Sequence, residues 1–588
     1  MIKFHLMYAL IILSLIFAPL AFAAVEPWAY VPLYAVFFLG AAALYAKGED
    51  THANPLYKTL LPAVLAVAAL GLLQLTSQAP VGGPAQLLFT AGRLSTFNAA
   101  LLWLFYAAVM YCASKAIKTP AQLNGLLWTL FGMGVFVSLM GMLQKTGVDT
   151  IVYGFRPVKG QPFGPFVNRD HGAFFLAMAG MAGLGLFFGG FKPLLRHQSH
   201  TKMFDLLAVQ FLKLVMLTAV VAGIVKTGSR GGLHSFVSAA LFMGAIAGGF
   251  LKSKSQKIAA WLALILLLAG YGLLMNKYRI LLGLDGDKLV SSVAVRFSMY
   301  KSGWEMFKDY PVLGTGLGAV EHAFPYYTRK DLAAIGANIV RHVHSDWIEL
   351  FMQIGFVGGL VFLAGLILVL LRYYKAWVRC QSFSVKAVYG GALGAAIVGM
   401  LHSFVDFGLQ MPANALAFYA LLGALASRPA VQDRSRHDEE EDPEPVPPKK
   451  LYANAAALAG LLLTAAAVPQ LLAWHYEQQA KTADYAGRAA LRTKVLKLQP
   501  GPQQAFRLAA EHYNQALTDK TAPCALFKQA DEITAPYLRQ APANAGLNLL
   551  ARNLRLQLAN CYNRPLTLKG KPAKPAAAPA PTQNSSRP

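Results

Sequence analysis

The segment Arg341-His342-Val343-His344-Ser345-Asp346-Trp347 runs directly into the long apolar stretch Ile348 to Leu371. An uninterrupted apolar run of about 17 to 25 residues is what a helix needs to cross a bilayer. The polar residues just upstream are therefore held where a loop meets the membrane surface. A titratable cluster at such a boundary sets two questions: how many more runs of this kind the chain contains, and what the cluster faces.

Composition answers the first. Of 588 residues, 56% are hydrophobic and only 14% charged, and the mean hydropathy is +0.43, whereas soluble globular chains carry about 25% charged residues. Apolar blocks recur near residues 5–23, 29–46, 59–76, 97–115, 123–143, 172–191, 206–225, 232–251, 257–275, 348–371, 388–406, 411–427 and 451–473. They predict an all-α, polytopic helical membrane protein of about thirteen transmembrane spans, since backbone groups in lipid must be satisfied within each segment. The first block also resembles a signal peptide, with the basic start Met1-Ile2-Lys3 and the small-residue pattern Ala21-Phe22-Ala23, but its apolar length favours a retained span.

Lys and Arg in short connections mark the cytoplasmic side. With the amino terminus inside, the inner connections carry Lys47 and Lys58; Lys115 and Lys118; Lys192, Arg196 and Lys202; Lys252, Lys254 and Lys257; and Arg372, Lys375, Arg379 and Lys386. The chain then divides into a multi-span unit over 1–427, with a large periplasmic loop at about 276–347, and an acidic, proline-bearing cytoplasmic linker over 428–450. A last span over 451–473 delivers the remainder to the outer side.

The formal net charge of +25 is spread over the inner connections as topology signals. No basic face is interleaved with base-stacking aromatics, which excludes a nucleic-acid partner; anionic lipid headgroups are the ordinary counterpart of such loops. Several cations nevertheless stand on the outer side. Arg156, Lys159 and Arg169 lie in one connection, Lys226 and Arg230 in another, and Lys277, Arg279, Arg296 and Arg341 in the large loop. One such residue is ordinary snorkelling or a salt bridge, but a set flanking one loop points to a negatively charged ligand.

Asp406 stands at the outer end of an apolar span, where an ionisable group is costly and often functional, and pairing with one of these arginines is expected. His342, His344 and Asp346 form a His-x-His-x-Asp pattern that metallohydrolases also use. Such a set converges only from a strand, and the downstream sequence is a membrane helix, so no metal is expected. Ser345 or Asp346 can equally serve as the helix cap. Trp304, Tyr310, Tyr326 and Tyr327 read as interfacial aromatics in preference to sugar-stacking platforms, and Asp285 and Asp287 as solvated loop residues.

The large loop and its flanks carry a further pattern. Val295-Arg296-Phe297, Trp304-Glu305-Met306 and Asp309-Tyr310-Pro311-Val312-Leu313-Gly314-Thr315-Gly316-Leu317-Gly318 precede His344-Ser345-Asp346-Trp347 and Gly355-Phe356-Val357-Gly358. Phe163 to His171, Thr227-Gly228-Ser229-Arg230-Gly231-Gly232, His402-Ser403-Phe404-Val405-Asp406 and Pro412-Ala413-Asn414 stand around it. In order and spacing, over roughly residues 90–427, this resembles the O-antigen ligase and polymerase family of bacterial envelope glycan transferases. Ser345 and Asp170 stand where family members commonly have Asn.

The resemblance implies transfer of a glycan from a polyprenyl (undecaprenyl) diphosphate carrier to an acceptor hydroxyl, with no nucleotide sugar, cofactor or metal, at the periplasmic face of the inner membrane. It assigns the catalytic place to His344, whose side-chain class titrates near neutral pH. Arg230 and Arg296 occupy the positions of diphosphate ligands, for which the planar guanidinium is suited. Arg169, Arg341, Asp346 and Asp406 are the candidates for support. The acceptor stays open between lipid A core sugar (a ligase), a second lipid-linked repeat (a polymerase) and a protein Ser or Thr (an oligosaccharyltransferase). A lipid-linked glycan transporter is the non-enzymatic alternative, although it would be expected to place charges near the bilayer midplane.

Beyond Trp474 the composition turns soluble. Amphipathic runs at Gln503 to Leu517 and Ala545 to Leu558, with Leu508-Ala509 matching Leu550-Ala551, predict a small helical, tetratricopeptide-like periplasmic domain over 474–568, and the Pro- and Ala-rich tail 569–588 predicts disorder. Cys524 and Cys561 both fall in that outer region, where oxidation is allowed, and are expected to pair.

Overall fold

The computed structural model describes residues 2–46, 55–82, 86–144, 150–154, 156–158, 160–191, 200–249, 286–328, 340–426, 450–519, 522–541 and 544–562, with scattered positions between 253 and 273. The expected span 257–275 falls for the most part outside the described residues, and Lys277, Arg279, Asp285, the linker up to residue 449 and the tail fall outside them altogether.

Among the described residues the protein is a polytopic helical membrane protein. The first seven helices of the bundle are α1 (Ile2–Leu20), α2 (Pro27–Tyr45), α3 (Leu60–Gln74), α4 (Arg93–Ala116), α5 (Pro120–Leu143), α6 (Arg169–Gly189) and α7 (His200–Thr227). They are followed by α8 (Arg230–Gly249), the loop helices α9 (Gly286–Asp309) and α10 (Val320–Ala323), and then α11 (Asp346–Arg379), α12 (Phe383–His402), α13 (Pro412–Ala426) and α14 (Lys450–Ala480). Nine of the described helices are long and apolar enough to cross a membrane, and three more apolar helices, at α1, α3 and α13, are shorter. Twelve of the thirteen expected spans thus coincide with described apolar helices, nine of them of full length, and the remaining one, 257–275, lies for the most part outside the described residues. One exception to the all-α reading is a hairpin between α5 and α6, β1 (Thr150–Val152) against β2 (Arg156–Val158), antiparallel with Thr150 opposite Val158.

The shorter helices shape the molecule. α3 and α13 have 15 residues each, about 22 Å at 1.5 Å per residue, against roughly 30 Å of hydrocarbon in a bilayer. At one end of the bundle the connecting segments around 311–317 and 403–411 fold against their tips. Gln74, the last residue of α3, is fully buried. Its Nε2 donates to the carbonyls of Leu313 at 2.7 Å and Gln353 at 3.1 Å, while its Oε1 accepts from the Leu317 N–H at 2.9 Å.

α11 is broken at Gly355, whose φ is +63°. A break in a membrane helix frees backbone groups that need partners, and the Gly-rich turn upstream supplies them. The N–H groups of Thr315 and Gly316 donate to the carbonyls of Met352 and Gln353, both at 3.1 Å, and the N–H groups of Phe356 and Val357 donate to Pro311 at 2.7 Å and Val312 at 3.2 Å. The approach tolerates no side chain. A Cβ on Gly355 would lie 2.3 Å from the Val312 carbonyl carbon, and one on Gly314 (φ +72°) 2.4 Å from that of Gln353.

α6 is the central helix, buried along most of its length. It meets α12 through glycine, a Cβ on Gly185 falling 2.7 Å from the Gly391 Cα, as small residues allow in membrane packing. α14 lies along α2 and is tied to the bundle by Gln470, bonded to Tyr30 at 2.6 Å and Asn98 at 2.8 Å, and by Trp474, whose Nε1 donates to Glu26 at 2.9 Å. It leads into α15 (Tyr485–Leu498), α16 (Pro502–Thr518), α17 (Pro523–Gln540) and α18 (Ala545–Tyr562), which pack their own apolar core around Ala509, Phe527, Leu550 and Leu554. A disulfide joins Cys524 to Cys561, the expected pair; Cys112 and Cys380 are buried free thiols.

Candidate functional site

The site is assembled from three helix starts, the middle of α9 and one connection at the end of the bundle where the large loop lies. α11 begins at Asp346, with Ser345 as its N-cap, the hydroxyl accepting from the Ile348 N–H at 3.4 Å. Its first turn is fastened to the connection between α12 and α13. The Asp346 N–H donates to the Asp406 carbonyl at 3.1 Å, and Trp347 Nε1 donates to the Met400 carbonyl at 3.1 Å. The Asp346 carboxylate turns away from His344 and accepts from Ser403 Oγ at 3.0 Å and the Leu409 N–H at 3.1 Å. Asp346 therefore anchors the connection and neither orients His344 nor caps the helix.

His344, just before the cap, adopts φ +55°, a region that residues other than glycine seldom occupy. Three bonds around it fix this conformation. Tyr300 of α9 donates its hydroxyl to the His344 carbonyl at 2.9 Å, the Val343 N–H donates to Glu349 Oε2 at 3.2 Å, and the imidazole Nδ1 lies 3.2 Å from Asp406 Oδ1. The Asp406 side chain is 2% exposed and that of His344 30%. Burial by itself would raise the Asp406 carboxyl. The hydrogen bond from His344 and the fields of His171, His402 and His344 outweigh it and hold the group below the usual carboxylate range. An ionised Asp406 can only accept, so Nδ1 of His344 is the donor, and in the neutral ring this tautomer leaves the lone pair on Nε2. Asp406 was expected to pair with an arginine; its partners are His344 and, at 3.6 Å through Oδ2, His171.

The arginines gather beside this pair. Arg296 of α9 donates through Nη1 to the Val405 carbonyl at 2.9 Å and lies 3.9 Å from Asp170 Oδ2 through Nη2. Arg230, the first residue of α8, interacts electrostatically with Arg296, Arg169 and Asp170. Arg169 starts α6, and its guanidinium borders Gly228, where a Cβ would come within 3.3 Å of Nη1. A Cβ on Gly231 would lie 2.8 Å from Val405 Cγ2, so the start of α8 abuts the Asp406 connection. Arg296 pairs with Asp170, Arg230 lies in the field of both, and Arg169 stands beside the start of α8, where helix N-termini favour negative charge. Arg341 is not part of this group: it is 59% exposed and lies 3.6 Å from Glu321.

His342 and His344 diverge. His342 Nδ1 lies 3.0 Å from Glu349 Oε1, which also accepts from Gln353 at 3.0 Å and Gln410 at 2.8 Å. The His-x-His-x-Asp set therefore addresses three separate carboxylate environments and does not converge. Glu349, 1% exposed, was missed in the sequence; its signal is an acidic residue one turn inside an apolar run. Phe407 was missed as well. Its ring stacks on His342 at 4.2 Å and meets the edges of His171 at 4.8 Å and His344 at 5.2 Å. Behind it His402 stacks on Phe174 at 4.6 Å. Of the loop aromatics, Trp304 is exposed and stacks on Phe307 at 5.4 Å, and Tyr327 bonds Asp309 at 2.7 Å, neither facing the His344 group through a direct contact.

Comparison with known proteins bears on this arrangement. A search of curated proteins returns no match. Among solved structures, one described as "Structural coordination of polymerization and crosslinking by a peptidoglycan synthase complex" is similar at 15% identity, covering 64% of this chain and 98% of that one with a TM-score of 0.34. Residues 214–363 match the family model described as O-Antigen ligase. The matched stretch holds Arg230, Arg296 and His344, while Arg169, His171 and Asp406 come from outside it. This multi-pass membrane protein thus carries an O-antigen ligase domain over residues 214–363.

Proposed function

We propose that the protein transfers a glycan from a polyprenyl diphosphate carrier to an acceptor hydroxyl at the periplasmic face of the bacterial inner membrane, in envelope polysaccharide biosynthesis. The match of residues 214–363 to the O-antigen ligase family model supports a glycan transferase. The observation that supports the finer reading is the pairing of His344 with a buried Asp406, beside a group of arginines in which Arg296 pairs with Asp170 and Arg230 lies in the field of both.

In this reading the acceptor oxygen attacks the anomeric carbon of the donor while its proton passes to Nε2 of His344. The bond between that carbon and the phosphate oxygen breaks, and the polyprenyl diphosphate leaves with the electron pair. Charge develops on the departing diphosphate, which Arg230 and Arg296 stabilise more strongly than they do the bound donor. Asp406 keeps the imidazole in the tautomer that exposes Nε2 and favours the imidazolium that forms. Every step uses the chain's own side chains.

The test is transfer by the purified protein with a lipid-diphosphate-linked glycan donor. His344→Ala is expected to abolish turnover while donor binding persists, and Arg230→Ala or Arg296→Ala to weaken donor binding and turnover together. Undiminished transfer by His344→Ala overturns the catalytic assignment, and a protein that moves lipid-linked glycan across a bilayer without cleaving it is a transporter. The acceptor class is read by deleting the gene and asking whether lipopolysaccharide, another surface polymer or a glycoprotein loses its glycan.

A further inference from the structure

A cleft of about 620 Å³ separates the α15–α18 unit from the end of the bundle that carries the site, within the usual range of ligand pockets, roughly 300 to 1,000 Å³. One wall is the start of α4 with Gln78 and α10; the other is the turn between α15 and α16 with the end of α17. α14 runs from the bundle into the α15–α18 unit, and its bonds from Gln470 and Trp474 to the bundle fix the two walls relative to each other.

The lining has an unusual chemistry. Seven residues with side-chain amides line the cleft, Gln78 and Asn98 from the bundle wall and Gln499, Gln503, Gln504, Gln540 and Asn544 from the other. Against them stand one cation, Arg93, and one acid, Glu321, which already lies 3.6 Å from Arg341. The amides of Gln499, Gln503, Gln504 and Gln540 make no hydrogen bond to another described residue. Each amide offers donors and an acceptor without net charge, and Tyr537 adds an aromatic ring. A diphosphate or acidic polymer would call for cations, and a lipid or amphipathic helix for an apolar groove. Uncharged donor and acceptor groups beside an aromatic ring match the hydroxyls and C–H faces of a neutral saccharide.

The bundle wall of the cleft leads toward the site: within it His322 bonds Ser95 at 2.9 Å, and Glu321 lies 3.6 Å from Arg341, which stands three residues before His344. We infer that this cleft is a subsite for neutral oligosaccharide, holding sugar units of the glycan beyond the one that reacts at His344. The inference rests on the transferase reading and adds to it a place for the chain.

The test measures binding apart from catalysis. Full-length protein in nanodiscs is titrated with maltohexaose, chitohexaose and a Ser/Thr-rich 15-residue peptide, followed by saturation-transfer NMR and calorimetry. At least one hexasaccharide is expected to bind the wild type and His344→Ala equally. The triple variant Gln503→Ala, Gln504→Ala, Gln540→Ala is expected to bind it at least about tenfold more weakly, three polar contacts being lost. These side chains are half-buried or exposed, and an unchanged Tm with an intact Cys524–Cys561 bond confirms folding of the variant. The subsite is overturned if neither hexasaccharide binds, if the triple variant binds unchanged, or if only the peptide binds and loses affinity in the triple variant. Failure of the transferase reading is seen separately, as His344-independent turnover.

Discussion

His344 is held in a conformation that costs roughly 1 to 3 kcal/mol by a tyrosine hydroxyl on its carbonyl and a buried carboxylate on its ring. Asp406→Asn keeps the shape but removes the charge and lets the amide present a donor to Nδ1. Turnover should fall about a hundredfold to ten-thousandfold, as for the analogous change in a Ser-His-Asp triad, with donor binding little changed. The pH behaviour of its stability has a definite sign. The Asp406 carboxyl is depressed in the folded state, so its contribution is present above the ordinary carboxylate value, about 4, and is lost only as pH falls below it toward the folded value. The Tm difference between wild type and Asp406→Asn should stay constant from about pH 7 to 5 and narrow below about 4. A difference that already narrows near pH 6 assigns the effect to a histidine. Phe407→Ala removes the ring shared by His342, His171 and His344; turnover is expected to drop about tenfold, one or two ring contacts at about 0.5 to 1.5 kcal/mol each. His344, Arg230 and Arg296 stand out in the sequence because the motifs that hold them are local. The partner of Asp406 was not: it lies 62 positions away, and charge alone pointed to an arginine.

At the scale of elements the apolar runs were easily read, and the interruptions within them were not. Gly355 stands among residues that all suit a membrane helix, and nothing near it announces that the helix breaks there. The cause lies about forty positions upstream, in the turn around Gly314, whose N–H groups take the freed carbonyls of Met352 and Gln353. The two glycine motifs were singled out separately; their pairing is a long-range fact. Gly355→Ala combines a left-handed φ with a 2.3 Å approach to the Val312 carbonyl and should destabilise the protein by roughly 2 to 4 kcal/mol. Gln74→Leu leaves the Leu313 carbonyl and the Leu317 N–H without this partner and takes one of two donors from the Gln353 carbonyl, at a cost of about 2 to 4 kcal/mol for buried groups left unsatisfied. Both are read as a lowered Tm in detergent. Because the turn also carries the chain toward α10 and His344, both variants should lose turnover before they unfold, whereas Gly132→Ala, where a Cβ meets nothing within 4 Å, should change neither.

For the whole molecule, the C-terminal region links topology to stability. The expected sequence of crossings puts residues beyond α14 outside the cytoplasm, and the joining of Cys524 to Cys561 accords with an oxidising compartment. Cys112, within a helix of the bundle, and Cys380, at a connection that the expected orientation places inside, are free. The bond closes a segment of sequence separation 37, for which the chain-entropy estimate is about 4 kcal/mol. That is large for a unit whose own core is as small as the cluster around Phe527 and Leu550. Cys524→Ser with Cys561→Ser should therefore make α17 and α18 sensitive to protease at temperatures where the bundle stays intact, since α14 is secured to the bundle by Gln470 and Trp474 and not by the disulfide. A nonreducing mass map locates the bond, and limited proteolysis of the double variant, followed by sequencing of the fragments, locates the weakness. Cleavage confined to residues beyond α16 supports a locally stapled unit, while simultaneous cleavage in the bundle connections means that the C-terminal helices and the membrane helices unfold as one. Two free thiols at 524 and 561 in protein isolated from intact cells would place this region on the reducing side and reverse the orientation assigned to every span.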